Sequence, residues 1–179
     1  MQTNQEKTFA MTFPIATYKT KDVFWTIGFV FAAVLFPALL AHTPANQWIT
    51  GTIVNAILFL AVWRTGAVNA IFVAFLPSSI ALLRGLLPAP MAALIPYIIL
   101  SNIILVAVFY ALKKHPLTGV AAASAAKFLF LFAISSFLIK TAGPLLFMMQ
   151  WPQLFTALAG GLVAVGVIKS FAGNKIRQT

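Results

Sequence analysis

The chain has 179 residues, of which 61% are hydrophobic and 8% charged, with a mean hydropathy of +0.99. That is more apolar surface than a single water-soluble core of this size buries, so lipid is the expected solvent. Twelve Lys and Arg against two acids give a formal charge of +10, but the basic residues are scattered at the ends of apolar tracts, which speaks against a nucleic-acid surface.

Residues 1–22 read as a polar tail carrying Lys7, Lys19 and Lys21. Six apolar tracts follow, near Val23–Ala41, Trp48–Trp63, Ala67–Leu83, Pro90–Leu112, Leu117–Ile139 and Leu145–Phe171, each close to the length of a bilayer crossing. The breaks between them hold the expected punctuation: His42–Gln47, Arg64–Gly66, Arg84–Ala89, Lys113–Pro116 and Lys140–Pro144. Strict period-two alternation, which a transmembrane barrel needs on every strand, is missing. The first tract exceeds a signal-peptide core, and the mixed charges before it argue that it is retained. The expected fold is therefore an all-α integral membrane protein: one compact bundle of six transmembrane helices over residues 23–171, ending in a basic tail at 172–179.

With the N-terminus inside, the inner face carries Lys7, Lys19, Lys21, Arg64, Lys113, Lys114, Lys169, Lys175 and Arg177, and the outer face only Arg84 and Lys140. This positive-inside bias predicts both termini on the cytoplasmic side of the membrane. Trp25 and Trp63 then lie near the inner interface and Trp48 near the outer one.

The missing residues exclude function classes. Glu6 and Asp22 both precede the first crossing, so no carboxylate is available at membrane depth for an ion relay or a divalent-metal site. Cysteine is absent, His42 and His115 sit at opposite faces, and no Gly-x-Ser-x-Gly or phosphate-binding loop occurs. No catalysis, cofactor or metal is expected, and any active transport must draw its energy from a partner.

Residues able to build a site remain. Lys127 lies ten residues into the fifth tract, near the bilayer midplane, and Ser124, Lys127, Leu131 and Ser135 share a helix face by their spacing. It reads as a ligand-facing cation or as a lysine satisfied by carbonyls near a proline break. Asn102 falls near the middle of the fourth tract, as a ligand contact or an interhelical hydrogen bond. Pro96 and Tyr97, then Pro77, Ser78 and Ser79, and Pro144, Gln150, Trp151, Pro152 and Gln153 all fall toward the outside. Broken helix ends with hydroxyl, amide and aromatic groups suit a vestibule for a small molecule, with Trp151 stacking on it. Arg84 reads as a gate, an anion clamp or a headgroup anchor. Asn55 and Asn69 read as packing residues, and His42 as an interfacial, solvated histidine. Small residues at intervals of four, among them Gly28 with Ala32 on the first tract, permit close helix approach.

The overall pattern, together with the stretch from Leu87 through Pro96 and Tyr97 to Asn102 and the alanine-rich run from Gly119 to Lys127 and Phe128, resembles the S component of energy-coupling factor (ECF) transporters. The resemblance implies a bundle that captures a vitamin, precursor or metal ion from outside. It also implies attachment to a transmembrane coupling subunit and two ATPases, with docking through a small-residue motif on the first helix, here Gly28 and Ala32. Gly28 stands where the family more often has alanine. From the residues themselves, a cationic Lys127 without a carboxylate partner, with Arg84, points to an anionic ligand, and Trp151 and Tyr97 to one with a flat ring. The alternative is a non-catalytic structural or assembly subunit, whose polar residues satisfy one another and leave no cavity.

Overall fold

In lipid each backbone N–H and C=O must be satisfied within its own segment, and apolar runs of this length do so as helices. The computed structural model describes residues 20–40, 46–83, 93–138 and 143–176, and among the described residues there are helices and turns but no strand. The expectations for Arg84, His42, residues 1–19 and 177–179 of the two tails, and the start of the Leu87 stretch (residues 87–92) lie outside the described residues.

Helix α1 (Thr20–Leu40) begins with Asp22 in its first turn, where a carboxylate complements the helix dipole. Helix α2 (Asn46–Leu83) holds both the second and the third apolar tract and is broken at Gly66, with φ 83° and ψ 177°. That backbone region is essentially reserved for glycine, so one residue replaces a loop. Helix α3 (Ile95–Ala111) and helix α4 (Pro116–Ala133) each start with proline in the first turn, where its missing N–H costs nothing. A π-helical turn, Ile134–Leu138, extends α4. The short α5 (Pro144–Met149) follows Gly143, and α6 (Trp151–Ile176) ends the described chain.

Paired contacts give the directions. Asp22 meets Arg64 at 3.5 Å, so the start of α1 stands beside the break in α2, and the first arm of α2 (residues 46–65) runs against α1. The second arm (residues 67–83) folds back along α1, since Phe72, Leu76 and Ile80 share one groove with Thr26, Val30 and Val34. Gln47 Nε2 donates to the Met148 carbonyl at 3.3 Å and Asn55 bonds Thr156, so α6 runs the same way as that first arm. Phe59 and Phe109 meet edge to face with centroids 4.7 Å apart, and Asn55 and Asn102 meet on Lys127, so α3 runs the same way as well. Lys127 on Asn102 and Gly119 on Phe109 make α3 and α4 antiparallel neighbours.

The core lies where these helices meet: Leu58, Phe59, Ala61, Leu105, Val106, Phe109, Ala123, Ala157 and Ala164 are all buried. Gly160 permits a close backbone approach, since a Cβ there would stand 2.5 Å from the Thr52 carbonyl oxygen and 2.7 Å from the Ala56 nitrogen. Backbone therefore touches backbone between α6 and α2, which small residues allow and lipid-solvated bundles favour. The outside is apolar: Phe24, Ile27, Phe31 and Leu39 project from α1, Phe24 with 79% of its surface exposed. By length and composition four helical stretches are able to cross a membrane, Thr20–Leu40, Gln47–Ile80, Pro116–Phe137 and Leu146–Phe171, and Ile95–Ala111 is a shorter apolar helix. Gln47–Ile80 has 34 residues and contains the Gly66 break. Unbroken, it would be about 51 Å long, well beyond a hydrocarbon core of about 30 Å.

Candidate functional site

The alanine-rich first half of α4 presents so little side chain that neighbouring helices close on it, and Lys127 is carried into the interior with 3% of its surface exposed. Its Nζ donates to Asn102 Oδ1 at 2.8 Å and to Asn55 Oδ1 at 2.9 Å. Asn55 in turn donates through Nδ2 to the Gly51 carbonyl at 2.8 Å and to Thr156 Oγ1 at 3.4 Å, and the Thr156 hydroxyl donates to the Pro152 carbonyl at 2.7 Å. One chain of hydrogen bonds thus joins α6, α2, α4 and α3 through four buried side chains.

An ammonium carries three donors, and two amide oxygens take two of them. Neither brings a formal charge. The only acid among the described residues, Asp22, is engaged with Arg64 at the end of the bundle where α1 begins. Removing a cation from water costs several kcal/mol, and amide dipoles offset only part of that. Ser124, one turn before Lys127 on the same face, is fully buried, and its Oγ has no hydrogen-bond partner. The site therefore holds a buried amine without a charged partner and, one turn earlier on the same helix face, an unpartnered hydroxyl. Among the described residues no three His, Cys, Asp or Glu gather to hold a metal ion.

One turn further along α4, Leu131 packs with Leu94 and Met149, all three at most 2% exposed, and Tyr97, Ile98 and Phe130 back this second cluster. Beyond it, Gln150 Nε2 donates to Ser136 Oγ at 3.0 Å and to Ser135 Oγ at 3.4 Å, tying the start of α6 to the π-helical turn. The Lys127 site is thus covered on this side by an apolar layer with a polar tie above it.

Of the residues singled out from sequence, Lys127 and Asn102 are in direct contact, and Tyr97 and Gln150 belong to the covering layers. Trp151 is half exposed, with its ring against Phe128 at 5.2 Å and Phe155 at 6.3 Å. The Ser79 hydroxyl donates to the Phe75 carbonyl at 3.0 Å on the second arm of α2. A Cβ at Gly28 would meet nothing within 4 Å, while Ala32 packs partly against the core. Asn55, read from sequence as packing, and Thr156 complete the cluster. Depth would have found Asn55: it lies nine residues from Asn46, and Asn102 seven from Ile95, which puts both about 10 to 14 Å along neighbouring helices that run the same way.

The helices and the buried polar cluster define an all-α, multi-pass membrane protein. Compared with known protein families, curated proteins and solved structures, the chain matches none.

Proposed function

We propose that this chain is the substrate-capturing S component of an ECF-type importer. In this reading it sits in the bacterial plasma membrane with six crossings and both termini cytoplasmic, performs no catalysis, and works with a transmembrane coupling subunit and two ATPases. The alternating directions of α1, the two arms of α2, α3, α4 and α6 support six passes.

One observation carries the ligand assignment. Lys127 is buried on amide oxygens alone, beside an unpartnered Ser124 hydroxyl, and no carboxylate among the described residues faces it. An anionic group, such as the carboxylate of a vitamin-like heteroaromatic acid, would supply the missing charge and accept from both Lys127 and Ser124. Access from outside would run through the Leu94, Leu131 and Met149 layer, with Tyr97, Gln150 and Trp151 at its entrance and Gly28 and Ala32 on the face that meets the coupling subunit.

A second reading, a structural or assembly subunit, is favoured by the mutual bonding of Lys127, Asn55, Asn102 and Thr156. Native mass spectrometry of the chain purified with its lipids and co-expressed with its genomic neighbours separates the two. The transport reading expects a small bound acid whose affinity falls at least tenfold in Lys127→Met, and an ATPase-bearing complex. A bare protein gives the assembly reading the field, and affinity unchanged by Lys127→Met overturns the assignment of the ligand's acid group to Lys127.

A further inference from the structure

Between α1 and the second arm of α2 lies an apolar groove of about 440 Å³ that is open along its length. Thr26, Val30 and Val34 form one wall and Phe72, Leu76 and Ile80 the other. Each wall spans eight helical steps, from residue 26 to 34 and from 72 to 80, so the groove is about 12 Å long, close to the acyl depth of one leaflet. It ends beside a charged group. Thr26 Oγ1 donates to the Asp22 carbonyl at 2.7 Å, Asp22 pairs with Arg64 at 3.5 Å, and the Arg64 guanidinium lies 5.2 Å from the centre of the Trp25 ring. Lys21 is exposed next to them. Lys21 and Arg64 against Asp22 leave one net positive charge at the mouth of an apolar groove, with an indole of the kind that settles at headgroup level.

We propose that this groove is a binding site for one acyl chain of an anionic phospholipid, whose phosphate sits against Arg64 and Lys21. The groove supplies the apolar length and the mouth the charge. This inference needs only that the chain spans a membrane, and it stands or falls apart from the transport reading. A basic residue near the membrane surface is worth about fivefold in affinity for an anionic lipid, so the native mouth selects phosphatidylglycerol over phosphatidylcholine about fivefold.

The test uses the full chain with Trp48, Trp63 and Trp151 changed to Phe, leaving Trp25 as the reporter. It is reconstituted in vesicles containing phosphatidylglycerol or phosphatidylcholine brominated on the acyl chains. Half-maximal quenching of Trp25 is expected at about fivefold lower mole fraction for phosphatidylglycerol. Arg64→Gln removes the preference, Asp22→Asn increases it, and Val34→Phe, which narrows the groove, weakens quenching by both lipids. Opposite shifts from the two charge variants are not produced by a merely structural role of the ion pair. Equal quenching by the two lipids, or a preference that ignores both charge variants, overturns the proposal. So does an unquenched Trp25 with a dimer in native mass spectrometry, which would give the groove to a second copy. If the tryptophan-depleted chain does not fold, the unmodified chain is delipidated in an equal mixture of the two lipids. Retention of one phosphatidylglycerol supports the site, and retention of neither lipid or of both alike overturns it.

Discussion

Asn55 on the first arm of α2 and Asn102 on α3 offer their side-chain oxygens to the same nitrogen, Lys127 Nζ, at 2.9 and 2.8 Å. The arrangement predicts an order of stabilities. Asn102→Leu leaves a buried cation on a single acceptor and is expected to cost about 3 kcal/mol. Lys127→Met removes the buried cation and leaves only amide oxygens without a donor, about 1 to 2 kcal/mol. Thermal unfolding in detergent should therefore place Asn102→Leu below Lys127→Met. The reverse order would mean that the lysine is not held by these amides.

Two glycines on α6 make a matched pair. Gly160→Ala forces a methyl group against the Thr52 carbonyl and the Ala56 nitrogen, backbone atoms that cannot turn aside, and should lower stability by about 1 to 3 kcal/mol. A Cβ at Gly166 meets nothing within 4 Å, so Gly166→Ala should be neutral or stabilising by up to about 1 kcal/mol. Equal melting temperatures for the two variants would contradict the close approach of α6 and α2.

Gln150 is the tie between α6 and the π-helical turn. Gln150→Leu removes both of its bonds to Ser135 and Ser136, worth about 1 kcal/mol net. Amide hydrogen exchange over residues 134–138 should accelerate about fivefold, with exchange in the first arm of α2 unchanged. Uniform acceleration across the chain would show a global loss of stability instead of a local release.

Because the chain contains no cysteine, six crossings can be tested by single substitutions without removing native thiols. Lys113→Cys, on the turn between α3 and α4, is expected to react with a membrane-impermeant maleimide only in inverted vesicles. Trp48→Cys, near the start of α2, is expected to react only in whole cells. Reaction of both from one side would show that the two arms of α2 and α3 do not make three crossings between them.

The same molecule shows how far a sequence reaches. Helix content and the apolar exterior follow from composition and tract length, because in lipid a backbone has no partner but itself. The division near Arg64 to Gly66 was also legible, although sequence reading makes it a loop where the structure needs one glycine with φ 83°. The depth of Lys127 could be counted along its tract.

What the lysine meets could not be counted, because hydrogen-bond partners are set by how helices rotate about their own axes. Those rotations are fixed by packing, here by Gly160 on Thr52 and Phe59 on Phe109. Rotation made Asn55 a direct partner of Lys127, turned Gln150 onto the π-helical turn, and left Trp151 half exposed against two phenylalanines. The apolar groove has the same origin, since neither α1 nor the second arm of α2 has one alone. By itself the sequence determined an all-helical chain with a lone lysine deep inside; the tertiary structure decided which neutral oxygens hold that lysine, because only packed helices bring residues 72 positions apart within 3 Å.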